Sequence, residues 1–328
     1  PYKIFGSEMS PYSVKVRAYF RYKAIPHRWI PRNADNETDF KAIAKLPIIP
    51  AVVTPEGESI QDSTPIIERI EAAFPEPLIH PPGDALAFLS ALIEEFGDEW
   101  GNKLMFHHRW WADIDQMVSA QTLARLIKPL AADEEVSALA NFIRTRMSGR
   151  GHFVGSSSQT APLIHRYFLE LLDILEPHLA ARAYLFGGRP AFGDFGLAPQ
   201  LYEAAIDPTC GAIIRARAPA VLDWCQRMMA PRNDGAFENW AALSPTLAPL
   251  IAYIGRYFLP WTQANAQALA AGQAEFTVQL AGDAYTQPPQ KYHAKSLAVL
   301  KNKYRPLSTN AELQAILKDG DCARYLAG

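Results

Sequence analysis

Residues 2 to 22 read YKIFGSEMSPYSVKVRAYFRY. Tyr2 to Phe5 is a short strand closed by Gly6, and Ser10 before Pro11 is the cap and first-turn pair that opens a helix, predicted over Pro11 to Tyr22. Working outward, His27 to Ile30 reads as a second strand and Asp39 to Lys45 as a short helix. Pro50 to Thr54 and Ser59 to Gln61 read as two strands joined by a tight hairpin turn across Pro55, Glu56, Gly57 and Glu58. From Thr64 to Phe74 the apolar spacing turns helical, and the cluster Pro75, Pro77, Pro81, Pro82 and Gly83 marks a linker. Strand, helix, strand, helix, hairpin, helix is the order of a small α/β unit.

Beyond Asp84 the period is helical: about Ala85 to Ile127, Asp133 to Met147, Pro162 to Leu179, Gly193 to Ala205, Pro219 to Met229 and Leu247 to Ala271. Phe276 to Leu280 reads as one isolated strand. Gln287, Pro288 and Pro289 then break the chain before a basic helix from Lys291 to Tyr304 and a last helix from Asn310 to Leu326.

The 328 residues suffice for about two domains, and 49% hydrophobic with 20% charged residues is a globular composition. A formal net charge of -2 leaves no global excess of positive charge to neutralise a phosphate backbone, which argues against nucleic acid as a partner. Cys210, Cys225 and Cys322 are few, far apart and without metal-ligand spacing, which suits a reducing compartment. Pro1 to Gly6 lacks the basic segment and apolar run of a secretory signal, and no apolar stretch approaches the ~20 residues that span a bilayer. The expectation is a soluble, cytoplasmic protein with no membrane partner.

Three ordinary features become informative in one order. Ser10 and Pro11 head the first helix; Ile49 and Pro50 open a strand where an Xaa-Pro pair can adopt the cis form; Asp62, Ser63, Thr64 and Pro65 head the third helix. Each alone is explained by capping or by a proline-initiated strand. Together, two helix N-termini flanking that strand make a cleft suited to an anionic peptide.

These motifs resemble those of the glutathione transferases, over roughly residues 2 to 230. The resemblance implies an α/β thioredoxin-like N-terminal domain (residues 1–78) and an all-α C-terminal domain (84–250), followed here by a C-terminal helical extension (251–328). Ser10, with Val14, Lys15, Val16 and Arg17 after it, resembles the catalytic serine of the serine-type enzymes, and Pro11 and Tyr12 belong to the same helix start. Ile49 and Pro50 resemble the step that bonds the cysteinyl backbone of glutathione, and Asp62 and Ser63 the pair that holds its γ-glutamyl end. Asp194 resembles the aspartate that begins the core helix of the second domain. Glutathione as co-substrate, no metal and a homodimer are further implications.

The departures are specific. Ala191 replaces the Ser or Thr that usually stands three residues before the aspartate, so only the buried-aspartate role is expected to carry over. Asp62 is one methylene shorter than the commoner Glu or Gln, and Ile48 stands where several subfamilies place a lysine for the glycyl carboxylate, leaving Lys45 as the substitute.

A free thiol has a pKa of about 8.5, and each unit of depression is ~1.4 kcal/mol of stabilisation of the thiolate. Ser10 is expected to stay protonated and donate its hydrogen bond to the glutathione sulfur, with Ser7, in the same loop, as its competitor. Ser10 and Ser13 occupy the positions of the two cysteines in a glutaredoxin-like CPYC motif, so no disulfide can form there.

Gly97 to Ile114 is dense in Trp, Phe and His. Most of it reads as core; by the resemblance, Trp100, Phe106 and His107 are substrate contacts on the cleft-facing side. Adjacent His107 and His108 point about 100 degrees apart on a helix and lack metal spacing. Lys291, His293, Lys295, Lys301, Lys303 and Arg305 read as a solvated helix face. The expected reaction is thiolate attack on a small apolar electrophile. Its alternatives are glutathione-dependent lyase, dehalogenase or isomerase chemistry, or a non-catalytic glutathione-binding or protein-interaction module.

Overall fold

A computed structural model describes residues 1–327. The chain begins β1 (Tyr2–Gly6), α1 (Pro11–Tyr22), β2 (His27–Pro31), α2 (Glu37–Ile43), β3 (Ala51–Val53), β4 (Ser59–Gln61) and α3 (Ser63–Ala73). The sheet order is β2-β1-β3-β4, with β1 parallel to β2 and antiparallel to β3. Successive side chains point to opposite faces, so Ile4, Val52 and Ile60 pack on one side with Ile66 and Ile67 of α3, while Phe5, Ala51 and Val53 pack on the other with Phe40 of α2. The rings of Phe5 and Phe40 lie 5.9 Å apart. At the end of β1 a Cβ on Gly6 would come within 2.4 Å of Trp29 and 2.8 Å of the Cβ of Ser13, so glycine is what lets the strand approach α1 this closely.

The proline-rich linker is tied back by Lys23, whose Nζ donates to the carbonyls of Phe74, Pro75 and Pro77 at 2.9, 3.0 and 2.8 Å. The helices that follow are α4 (Asp84–Phe96), α5 (Asn102–Trp111), α6 (Asp113–Ile127), α7 (Asp133–Ser148), α8 (Ala161–Ala181), α9 (Phe192–Ile206), α10 (Pro208–Arg217) and α11 (Pro219–Arg227). The single helical stretch read from Ala85 to Ile127 is therefore three helices. A π-turn over Gly97–Gly101 joins the first two, and extended backbone at Ala112 separates the third. Helix α10 was absent from the sequence reading. A Cβ on Gly97 would lie 2.5 Å from the carbonyl carbon of Gly196, which is why this turn can cross α9 backbone on backbone.

Helix α9 opens on the buried Asp194, whose carboxylate accepts from the N–H groups of Leu185 (2.9 Å) and Ala191 (2.8 Å) and from the Trp224 indole (2.8 Å). Burial pushes its pKa up to about 7 although all three donors pull it down. Asp194 thus supplies its half of the cap, and Ala191 has no side-chain oxygen to return the other. The same helix docks the α/β unit, with Phe195 ring-to-ring against Tyr19 and Tyr22 of α1 at 5.7 and 6.0 Å.

The C-terminal segment consists of α12 (Trp240–Tyr253), a π-turn (Ile254–Phe258), α13 (Leu259–Ala270), β5 (Phe276–Leu280), β6 (Asp283–Gln287), α14 (Lys291–Tyr304), α15 (Ala311–Asp319) and α16 (Ala323–Leu326). Two expectations are corrected here. A boundary at residue 251 falls inside α12, and the extension is not purely helical, because the strand read as isolated pairs with β6 in an antiparallel hairpin. The segment lies over α4, α5 and α8, where Phe96 and Trp100 pack against Tyr253, Tyr257, Phe258 and Trp261. No helix among the described residues is long and apolar enough to cross a membrane.

Candidate active site

The loop between β1 and α1 is pinned from both sides. Arg17, stacked over Trp29 at 4.3 Å, grips Glu8 through two hydrogen bonds. From the helical side, Arg109 donates to the Met9 carbonyl at 3.1 Å. Arg109 is itself buried between Glu203 and Asp207, each at 2.8 Å, and these carboxylates outweigh burial and raise its pKa. Ser10 therefore caps α1 from a fixed loop, with extended backbone (φ -118°, ψ 111°) and Pro11 buried in the first helical turn.

The hydroxyls of this loop are poised. Ser10 Oγ accepts from the Ser13 N–H at 3.3 Å, and Ser7 Oγ accepts from the Met9 N–H at 3.2 Å. A hydroxyl engaged as an acceptor retains its proton for donation. The Ser10 N–H donates to the Ser7 carbonyl at 3.2 Å, which holds the two residues together.

The Ile49–Pro50 peptide bond is cis. Its approach loop hangs on the Gln61 side chain, whose Oε1 accepts from the N–H groups of Lys45 (2.9 Å) and Leu46 (3.1 Å) and whose Nε2 donates to the carbonyls of Leu46 (2.9 Å) and Ile48 (3.0 Å). Lys45 and Ile48 are exposed. Pairing of Ala51 with Gln61 sets Pro50 and Asp62 at the same end of the β3–β4 hairpin.

A cavity of about 460 Å³ opens here, between the α/β unit and α6. Ser7, Arg32, Glu37 and Ile49 form one wall, and Leu123 and Ile127 of α6 form the other. Arg32 is held by Glu37 and by the Pro47 carbonyl at 3.1 Å, and stacks over Phe40 at 4.0 Å. Sequence reasoning missed Arg32, Glu37, Leu123 and Ile127. The available signal was the i, i+4 apolar pair Leu123 and Ile127 on α6, which packs against the α6–α7 cluster and also borders the cavity.

At the other end of the cleft, Asp62 has left-handed backbone (φ 77°) and makes no cap with its side chain. Its carboxylate instead accepts from the Tyr292 hydroxyl of α14, at 3.0 and 2.9 Å. Ser63 is buried with its Oγ 3.5 Å from Asp98, and Tyr12 donates to the Asp98 carbonyl at 2.9 Å. Beneath them Lys15 is fully buried, bonded to Glu94 (2.5 Å), Asp98 (2.6 Å) and Thr64 (3.0 Å). Burial alone would lower its pKa, but Asp98 and Glu94 outweigh it and the net shift is upward. Burial pushes Asp98 up to about 7 against the pull of Lys15.

The three substrate contacts drawn from the resemblance lie elsewhere. Trp100 is fully buried in the aromatic contact with the C-terminal segment. His107 is buried and shares a 2.7 Å hydrogen bond with Ser156, and burial, then His108, lowers its pKa to about 3. Phe106 packs on Trp110. None of the three lines the cavity beside Ser7: Trp100 turns towards the C-terminal segment, Phe106 packs with the α6–α7 cluster, His107 bonds Ser156, and α6 borders the cavity instead. The basic face of α14 is also partly engaged, since His293 pairs with Glu99 and Lys303 with Glu68. No group of three or more His, Cys, Asp or Glu among the described residues is arranged to hold a metal ion.

A thioredoxin-like unit with a capped hydroxyl loop and a cis-proline step, docked on a helical unit through a buried aspartate, is the architecture of a glutathione transferase. The chain belongs to the glutathione S-transferase family: residues 4–78 match its N-terminal domain and residues 123–227 its C-terminal domain. Similar solved structures include the beta-etherase LigF from Sphingobium sp. strain SYK-6, at 18% identity and TM-score 0.51 over 70% of this chain and 95% of that one. A glutathione S-transferase from Rhodospirillum rubrum F11 is 18% identical with TM-score 0.45, covering 69% of this chain and 86% of its own. A bacterial maleyl pyruvate isomerase of the Zeta class is 23% identical with TM-score 0.38, covering 69% and 95%. No curated protein sequence matches the chain.

Proposed function

We propose that the protein is a glutathione-dependent enzyme in which Ser10 stabilises the glutathione thiolate for attack on a small apolar electrophile. The observation that carries this reading is the Ser10 hydroxyl at the α1 N-terminus, its acceptor lone pair taken by the Ser13 N–H and its proton left to donate. The helix terminus adds partial positive charge at the same place. A thiol with a pKa near 8.5 is only a few per cent ionised at neutral pH, so about one unit of depression raises the nucleophile concentration almost tenfold. In this reading Ile49 holds the cysteinyl backbone, Asp62 and the N-terminus of α3 take the γ-glutamyl end, and Lys45 takes the glycyl carboxylate. The wall of Leu123 and Ile127 suits an apolar electrophile.

Ser7 is the second reading for the sulfur donor, favoured by its direct place on the cavity wall. The same thiolate would serve ether cleavage, dehalogenation or isomerisation. Calorimetry with glutathione, followed by turnover of a panel of halogenated, ether and unsaturated carbonyl substrates, tests both levels. Absence of glutathione binding rejects the reading, and the preferred substrate class fixes the reaction.

A further inference from the structure

Helix α14 runs along α3 and α4, and its polar side chains meet theirs. The Tyr292 hydroxyl donates to both oxygens of Asp62 at 3.0 and 2.9 Å, His293 pairs with Glu99, Ser296 donates to Glu95, and Lys303 bonds Glu68 at 2.7 Å. The start of the helix is fixed from α13, where Asn265 donates to the Gln290 carbonyl at 2.8 Å and accepts from its N–H at 2.7 Å. Between α14 and the head of α3 remains a space of only about 80 Å³, bordered by Asp62, Asp98, Glu99, Tyr292 and Lys295.

The near-equal distances put the phenol oxygen between the two oxygens of Asp62. That is where an ammonium group pairing with both would sit. We propose that Tyr292 is a specificity-determining residue of the site: the C-terminal segment holds its phenol on Asp62, so a ligand's ammonium group reaches that carboxylate only by displacing it. The proposal rests on reading Asp62 as the residue for the γ-glutamyl end. An ammonium-carboxylate pair is stronger than the hydrogen bond from a neutral phenol, so a ligand bearing a primary ammonium group can make the exchange. A ligand that offers only a neutral donor there gains nothing over the phenol. Tyr292 is 53% exposed, so its ring can swing into solvent while the buried contacts of α14 stay in place.

The test is Tyr292→Phe in the full chain, which removes the hydroxyl and keeps the ring. Calorimetry is expected to show glutathione binding at least about threefold tighter in the variant, with no change for a glutathione analogue that lacks the α-amino group. Hydrogen exchange at the first turn of α14, measured without ligand, is expected to quicken. Equal or weaker glutathione binding in the variant overturns the proposal, as does an equal gain for the analogue, since the phenol would then not act on the ammonium. Binding by the variant alone supports it. If neither protein binds glutathione, the glutathione reading fails by itself. The hold of Tyr292 on Asp62 is then judged on exchange: a faster first turn of α14 supports it and an unchanged one overturns it.

Discussion

The Trp100 indole N–H donates to the Tyr253 hydroxyl at 3.1 Å, and that hydroxyl donates in turn to the Tyr167 carbonyl at 2.9 Å. The chain of bonds runs from the π-turn after α4 through the C-terminal segment to α8, with Tyr257 stacked on the indole at an interplanar angle of 14°. The segment is therefore integral to the core of the helical unit.

Trp100→Ala is expected to cost about 3 to 5 kcal/mol of stability, the usual penalty for emptying a large buried aromatic site. Denaturant unfolding measures it. Trp100→Phe should restore most of that loss and leave substrate KM unchanged. A raised KM with unchanged stability would return Trp100 to the substrate wall.

Lys103 is buried among Trp100, Trp261 and Tyr285, with no carboxylate among the described residues bonded to it. Its Nζ bonds the Val154 carbonyl, the Tyr285 hydroxyl and Gln287 Oε1 at 2.5, 3.1 and 2.9 Å, and burial drives its pKa well down. Two of those three acceptors have other donors, since Tyr285 also donates to Val154 and Trp261 to Gln287. Lys103→Met should therefore be neutral or stabilising, as when other buried charges give way to apolar side chains of similar volume. Loss of more than about 3 kcal/mol in chemical denaturation would show that the lysine holds the β5–β6 hairpin in place.

His107 titrates at about 3 in the folded chain, below the 6.5 of an ordinary histidine. The unfolded chain therefore takes up this proton first, and the contribution of His107 to stability is lost as pH falls through 6.5 towards 3. Between pH 7 and pH 5 the loss amounts to about 2 kcal/mol. His107→Gln, which can keep a hydrogen bond to Ser156, should flatten the stability curve by that amount in this window. Identical curves for the two proteins would contradict the buried neutral imidazole.

Much of the α/β unit was legible because its signals are local. Ser10 and Pro11 cap a helix, Gly6 ends a strand, and Ala51–Val53 meets Ser59–Gln61 across a four-residue turn with Gly57 at positive φ. The β5–β6 hairpin was half missed because Asp283–Gln287 has little apolar content. Its signal was the Ala281-Gly282 pair, both at positive φ, which is the two-residue link such hairpins use. Periodicity marked the stripe through Trp100 correctly as packed but could not say against what, because Tyr253 joins it from 153 residues further along and Trp261 from further still. For the same reason Tyr292 could not be placed beside Asp62, a contact 230 residues apart in sequence.

The central claim is that the Ser10 hydroxyl lowers the pKa of the glutathione thiol. Thiolate ultraviolet absorbance, titrated for glutathione bound to the unaltered protein, to Ser10→Ala and to Ser7→Ala, tests it directly. The account predicts nearly unchanged glutathione binding in Ser10→Ala, with a bound-thiol pKa at least about one unit higher, and little shift in Ser7→Ala. An unchanged pKa in Ser10→Ala together with a rise in Ser7→Ala would contradict it and assign the sulfur to the hydroxyl on the cavity wall.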